Sequence, residues 1–296
     1  MGGALTNLVF RCATRGASDD VLVRVYGKGT DRLFSRDREI AACRAISRSG
    51  MGPRILLEFE GGRVETWVAG AAPFAPEQVR DGALSSRVAR HLACFHRVPR
   101  GGSGLCDGSI AFDRARAWLD LALSACEPPE ASRCRLGEMD ADLCALRARL
   151  PPSPLVFGHN DLQHGNILLS ARDLSVTFVD FEYAGPVERG FDIGNHWCEW
   201  GSDFGADGAA HRDLFPSAAE RRDFCAAYLN VSALTDAVQS LCDEATAWST
   251  LSHAWWGLWA LVRAPGSAID FDYVSYARQR LDRYWSLRES PPGGSA

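Results

Sequence analysis

Hydrophobic and polar positions change period along this chain, and the changes mark its elements. "LVFRCA" (Leu8 to Ala13) and "VLVRVYG" (Val21 to Gly27) are rich in β-branched and apolar residues. They predict two strands joined by a turn containing Gly and Asp. "SRDREIAACRAISRSG" then places apolar residues at helical spacing, with Ser35 to cap its start and Gly50 its end. "RILLEFEGGRVETWVAG" predicts a hairpin turning at Gly61-Gly62. Beyond "GAAPFAPE" the period becomes helical in "LSSRVARHLACFHRV", "FDRARAWLDLALSAC" and "EMDADLCALRARL". Strand-like "PLVFGHND", "GNILLS" and "LSVTFVDFEYAG" follow, and from Asp192 to about Leu287 the pattern is again largely helical. No internal repeat is evident. The expected fold is α+β, with a small β-rich lobe over residues 1–69 and a larger, mainly helical lobe over residues 70–288. Residues 289–296, "ESPPGGSA", are expected to be a disordered tail.

Composition narrows the function classes. Of 296 residues, 46% are hydrophobic and 23% charged, as in a globular protein with room for a large core. A net charge of -5 argues against a broad nucleic-acid-binding surface. The ten cysteines stand singly with no C-x-x-C pair, so they read as reduced thiols rather than metal ligands. No signal peptide opens the chain and no apolar run approaches the ~20 residues of a membrane span. A cytoplasmic location is the corresponding expectation.

The stretch "HNDLQHGN" (His159 to Asn166) is polar, yet it lies between two apolar segments. Polar groups there need either satisfied hydrogen bonds or a chemical purpose. A tight turn would account for an Asp near an Asn. Asp180 changes that reading, because it ends the apolar strand "VTFV" nineteen residues after Asp161. Phosphoryl transfer to a hydroxyl needs one carboxylate to take the proton, and an amide oxygen with a second carboxylate to hold Mg²⁺. The H-N-D-x-x-x-x-N loop followed by "DFE" has the spacing of the H-R-D-x-x-x-x-N and D-F-G segments of protein kinases. Oxygen donors of this kind suit Mg²⁺ rather than zinc. His159 reads as a side chain bracing the loop rather than a base, and His164 as exposed.

The small lobe is then expected to bind ATP. "GALTN", with Gly3, Thr6 and Asn7, offers a glycine and small polar residues whose backbone N–H groups suit phosphates, although a simple turn reads equally well. Arg24 lies on a strand where a kinase places its phosphate-pairing lysine, and Glu39 where the partner glutamate belongs. "ETWVAG", including Glu65 and Trp67, is the expected connection between lobes, with backbone groups for an adenine edge. The last third is aromatic. "FDIGNHWCEW", "HAWWGLWALV" and "FDYVSY" contain Trp197, Trp200, Trp255, Trp256, Trp259, Phe271, Tyr273 and Tyr276. Most of these read as core. Trp256 and Trp259, sharing a helix face, also suit a cage for a quaternary ammonium, with Glu199 as its carboxylate.

Taken together, "VFGHNDLQHGNILL", "VDFEYAG", "RGFDIGNHWCEW" and "HAWWGLWALV" resemble the choline/ethanolamine kinase family. The likeness extends from about Gly3 to Tyr284 through "GALTN", "VLVRVYG", "RDREIAACRAIS", "LFPSAAERRDFCAAYL" and "FDYVSYARQRLDRYW". It implies a two-lobed protein-kinase-like fold and ATP-dependent, Mg²⁺-dependent phosphorylation of a small amino alcohol. It makes Asp161 the base, Asn166 and Asp180 metal ligands with Glu182 nearby, and Gln163 a brace of the loop. Tyr183, Glu199, Phe204, Trp256, Trp259 and Tyr276 would line the acceptor pocket. "LQHGNIL", "WCEW" and "WWGLW" lean toward choline, whose phosphorylation to phosphocholine starts phosphatidylcholine synthesis. Ethanolamine, or both amines, is the runner-up, and a catalytically inactive nucleotide-binding scaffold is the rival from another class. The resemblance also suggests a homodimer. Departures from the family pattern are the missing helix and strand before "GALTN", Pro186 and Glu188 in "AGPVERG", and Phe204 in place of a tyrosine.

Overall fold

The computed structural model describes residues 7–13, 20–27, 35–100, 104–203, 210–211, 214–265 and 271–289. Gly3, Thr6, Phe204 and residues 290–296 lie outside this set. The first lobe is a four-stranded antiparallel sheet with one helix. Strands β1 (Asn7–Cys12), β2 (Val21–Tyr26), β3 (Ile55–Phe59) and β4 (Gly62–Thr66) pair in the order β1-β2-β4-β3. Helix α1 (Arg36–Arg48) starts where Ser35 accepts a hydrogen bond from the Arg38 backbone N–H. The β3–β4 hairpin turns at Gly61, whose φ of 82° is open to glycine at little cost.

Sequence then leads into short sheets and helices. Strand β5 (Ala71–Pro73) pairs with β7 (Ile167–Ser170), which pairs with β8 (Val176–Phe178). Strand β6 (Leu155–Gly158) pairs with β9 (Gly185–Glu188). The helices are α2 (Gly82–Phe95), α3 (Ala111–Ala125), α4 (Pro128–Arg133), α5 (Leu136–Arg149), α6 (Arg189–Cys198), α7 (Ala218–Leu229), α8 (Asp236–Arg263) and α9 (Tyr273–Glu289). Among the described residues no helix is long and apolar enough to cross a membrane.

Two hydrophobic cores hold this lobe. One gathers Trp118, Phe191, Trp255 and Leu258 with their neighbours on α3, α5, α8 and α9. The other joins α2, α6 and α7 to β6–β8, and takes in Ala42, Cys43 and Ile46 from α1. Gly194 sets the crossing of α6 on α8, since a Cβ there would lie 2.4 Å from the Ala245 carbonyl oxygen. The close approach brings Asn195 on α6 within reach of Ser252 and Trp256 on α8.

The expected strand over Leu174 to Gly185 is two pieces. After β8 the chain leaves the ladder, and Asp180 adopts a left-handed φ of 67°. It returns as β9, where Pro186 sits opposite Phe157 in a two-stranded pair. Strand β5 and helix α4 were not expected, and α6 begins at Arg189, three residues ahead of the expected Asp192. Helix α9 runs through Glu289, which pairs with Arg135 at 2.5 Å.

Candidate active site

The β7–β8 hairpin builds the centre of the site. Ile167 pairs with Phe178, and the Val179 N–H donates to the Asn166 carbonyl at 3.0 Å. The register therefore carries Asn166 and Asp180 to the same end of the hairpin. Asn166 Nδ2 donates to both the carbonyl oxygen and Oδ2 of Asp161, at 2.8 and 3.0 Å. Gln163 Oε1 accepts from the Gly165 N–H at 2.7 Å and closes the turn between them. Asp161, Gln163, Asn166 and Asp180, expected together, lie together.

Asp192 on α6 fixes the backbone of this loop. Its Oδ2 accepts from the His159 N–H at 2.9 Å and its Oδ1 from the Asn160 N–H at 2.6 Å. His96 Nε2 meets Oδ2 at 2.9 Å, and His96 Nδ1 meets the Tyr228 hydroxyl at 2.7 Å. Burial alone would raise the Asp192 pKa, but His96, His159 and the Asn160 N–H together hold it below the usual carboxylate value. Asn160 itself takes a left-handed φ of 67°, which an Asn tolerates better than most residues. His159 is buried, with Nε2 on the Val179 carbonyl at 2.9 Å and Nδ1 accepting from the Asp161 N–H. It braces the loop, and burial lowers its pKa. His164 is half-buried rather than exposed.

Carboxylates crowd the centre. Asp161 is raised well above its ordinary value, first by burial and then by Glu199, Asp180 and Glu182. A cation would relieve that excess of negative charge. The Asn166 amide nitrogen is turned to Asp161, which leaves Oδ1 as the oxygen donor on its other side. Among the described residues no three His, Cys, Asp or Glu side chains converge as a closed metal site. Asn166, Asp180 and Glu182 thus fit a Mg²⁺ that draws its remaining ligands from water and phosphate.

The expected pairing of Arg24 with Glu39 is corrected. Arg24 Nη1 donates instead to Asp180 Oδ1 at 3.1 Å, across the two lobes, and its buried Nε has no partner. Glu39 is held by Arg63 at 2.8 Å and by Arg36. Arg24 and Arg63 are directly opposite each other on β2 and β4, so both guanidinium groups lie under the sheet toward α1. Arg63 is also paired with Glu65. Glu65 was expected in the connection between lobes, but it lies within β4 and its backbone belongs to the ladder. Trp67 follows the strand and packs under Arg11, with the guanidinium carbon 4.9 Å from the ring centroid. Asn7 opens β1 and accepts from the Gly27 N–H and from Arg36.

Tyr183, Trp256 and Trp259, three of the residues expected around the acceptor, lie together. Trp259 Nε1 donates to the Tyr183 hydroxyl at 2.7 Å, and the Trp256 ring lies 5.3 Å from Tyr183 and 5.4 Å from Trp259. Tyr276 is buried beside Phe271, with ring centroids 5.7 Å apart, and the Arg280 guanidinium carbon lies 5.8 Å from its ring centroid; burial raises its pKa. Trp197 and Trp255 are fully buried core, the reading expected for most of these aromatics. Glu199 is buried too, but it is not a lone carboxylate: Arg280 Nη1 donates to Oε1 at 2.9 Å. Sequence reasoning missed Asp192, His96, Asn195, Arg63 and Arg280. For Asp192 and Asn195 the one local signal is the polar run Asp192, Asn195, His196 on a helix otherwise largely apolar; His96, Arg63 and Arg280 have none.

A carboxylate beside an amide, a second carboxylate at the end of a hairpin, and a sheet with paired arginines above them define a kinase-like phosphotransferase. The match of the Choline/ethanolamine kinase family model to residues 1–285 places the chain in that family, to which it belongs. It is 34% identical to a probable choline kinase 3 of Arabidopsis thaliana, over 96% of this chain and 84% of that protein. It is 30% identical to a probable ethanolamine kinase of the same plant, over 96% and 77%. Among solved structures, a choline kinase from Cryptosporidium parvum superposes with a TM-score of 0.82 at 22% identity, covering 98% of this chain and 88% of that one. The choline kinase LicA from Streptococcus pneumoniae gives 0.70 at 17% identity, over 97% and 92%, and LicA in complex with AMP gives 0.66 at 16%, over 97% and 90%.

Proposed function

We propose that this chain is an ATP-dependent choline kinase. The observation that carries the reading is the hydrogen bond from Asn166 Nδ2 to Asp161 Oδ2, at the end of the β7–β8 hairpin to which the register also brings Asp180. In this reading the choline hydroxyl donates its proton to Asp161 as its oxygen attacks the γ-phosphorus of ATP. The bond from that phosphorus to the β-phosphate oxygen breaks, and ADP leaves with phosphocholine formed. Asn166, Asp180 and Glu182 would hold Mg²⁺, which supplies neutralisation of the phosphate charge when bound. Arg24, with spare donors next to Asp180, would take a nucleotide phosphate, and the backbone of the connection after Thr66 would meet the adenine.

Choline is favoured over ethanolamine by the aromatic walls Tyr183, Trp256 and Trp259. A trimethylammonium has no N–H to donate and is held by ring faces, at ~0.5–2 kcal/mol per good face. Ethanolamine is the second reading, supported by the similarity to the plant ethanolamine kinase. The product would feed phospholipid synthesis from the cytoplasm. ADP release with choline and ethanolamine side by side tests both readings. Choline is expected to give the higher kcat/KM, and Asp161→Ala to lose roughly 10³-fold in kcat while still binding nucleotide. Parent-like turnover by Asp161→Ala would remove Asp161 from the role of base.

A further inference from the structure

Arg280 on α9 is fully buried, and its contacts run through the acceptor side of the site. Nη1 donates to Glu199 Oε1 at 2.9 Å. Nη2 donates to the Ser252 carbonyl at 3.1 Å and to Ser252 Oγ at 2.7 Å. That hydroxyl donates in turn to Asn195 Oδ1 at 2.7 Å, which also accepts from Trp256 Nε1 at 2.8 Å. Asn195 Nδ2 finally donates to the Asn160 carbonyl, beside Asp161, at 3.1 Å. One buried chain of hydrogen bonds thus joins the pocket carboxylate, a pocket tryptophan and the loop that carries the base.

We infer that Arg280 is a specificity-determining residue, which cancels the charge of Glu199 so that the pocket selects an N-methylated ammonium over a primary one. The inference rests on the choline kinase reading above. A primary ammonium brings three donors, and leaving water costs it those hydrogen bonds unless acceptors replace them. A bare Glu199 would be such an acceptor. Arg280 occupies one of its oxygens and neutralises it. A quaternary ammonium loses little by this, because ring faces rather than lone pairs hold it.

The test is steady-state kinetics of the full chain with both amines. In Arg280→Met, kcat/KM for ethanolamine relative to choline is expected to rise about tenfold, mainly through a lower ethanolamine KM. An unchanged ratio in a variant that still melts cooperatively overturns the inference. Removing one partner of a buried pair is often strongly destabilising, whereas replacing both is tolerated better. Glu199→Gln with Arg280→Met is therefore the second variant. With both charges gone, its choline KM is expected to stay within about threefold of the parent. A loss of choline binding much larger than that means Glu199 acts as a free charge and overturns the inference. The two levels separate in the parent enzyme. Turnover of neither amine, or a parental preference for ethanolamine, sinks the choline reading and this inference with it; parental choline preference with an unshifted Arg280→Met ratio sinks the inference alone.

Discussion

Asp161 shows what the position proposed for the base costs the fold. Its carboxyl is raised by burial and by Glu199, Asp180 and Glu182, so the folded chain disfavours its charge. At low pH it is protonated whether the chain is folded or not. As pH rises through the ordinary carboxylate value near 3.9, the unfolded chain gives up the proton first. Stability therefore falls from there until the raised folded pKa is reached, and stays lower above it. Asp161→Asn keeps the shape and removes the charge. At neutral pH, without nucleotide or metal, it is expected to melt roughly 1–4 °C above the parent while losing activity. Equal melting temperatures in differential scanning calorimetry would show that the crowding carries no penalty. Asp161, Asn166 and Asp180 were legible in the sequence because one loop sets the first two and the adjoining hairpin the third, all within twenty residues. Arg280 was not, because its partner Glu199 is 81 residues away and nothing local distinguishes it from other helix arginines.

At the scale of elements, α6 converts helix geometry into loop geometry. Asp192 lies in its first turn, and both carboxylate oxygens are spent on two loop N–H groups and His96. Helical and strand periods in the sequence located most of these elements. They failed where pairing is decided by distant chain: β5 exists because β7 offers it an edge, and β9 because β6 does. They failed also at Asp180, where an apolar run reads as continuous strand but a left-handed residue ends it. Asp192→Asn tests the role of α6. An amide has one oxygen for three donors, and its NH₂ must face one of them. The expected cost is about 2–4 kcal/mol in stability, with kcat lowered by on the order of 10²-fold. Denaturant titration and turnover read the two effects separately, and a fall in stability with unchanged kcat would reduce Asp192 to a purely structural role.

The whole molecule depends on how the small lobe is seated on the large one, and Phe181 is central to that. It follows Asp180 directly, is buried, and stacks on Phe95 at 5.9 Å and edge-on to His159 at 5.4 Å. Its far edge reaches the first lobe: a Cβ on Gly52 would meet the ring at 2.8 Å and Ile46 Cγ2 at 2.9 Å. The ring therefore packs at once against the loop of His159 to Asn166 and against the end of α1, whose other turns hold Glu39 and its pair with Arg63. The Arg24–Asp180 ion pair crosses between the lobes one residue away. The division into two lobes was legible from the change of period. This seating was not, because it needs a phenylalanine from one lobe to fit a glycine of the other. Phe181→Ala would leave a cavity at the junction, with an expected loss of roughly 3–5 kcal/mol. Relaxation of the left-handed turn at Asp180 should also weaken nucleotide binding, since Asp180 and Arg24 lose their common reference. Phe181→Leu retains most of the volume and is expected to recover most of the stability, leaving a smaller binding defect. Nucleotide affinity by calorimetry, set beside denaturant midpoints, decides the matter. Parent-like affinity in a destabilised Phe181→Ala would mean that the ring supports the cores without setting the site.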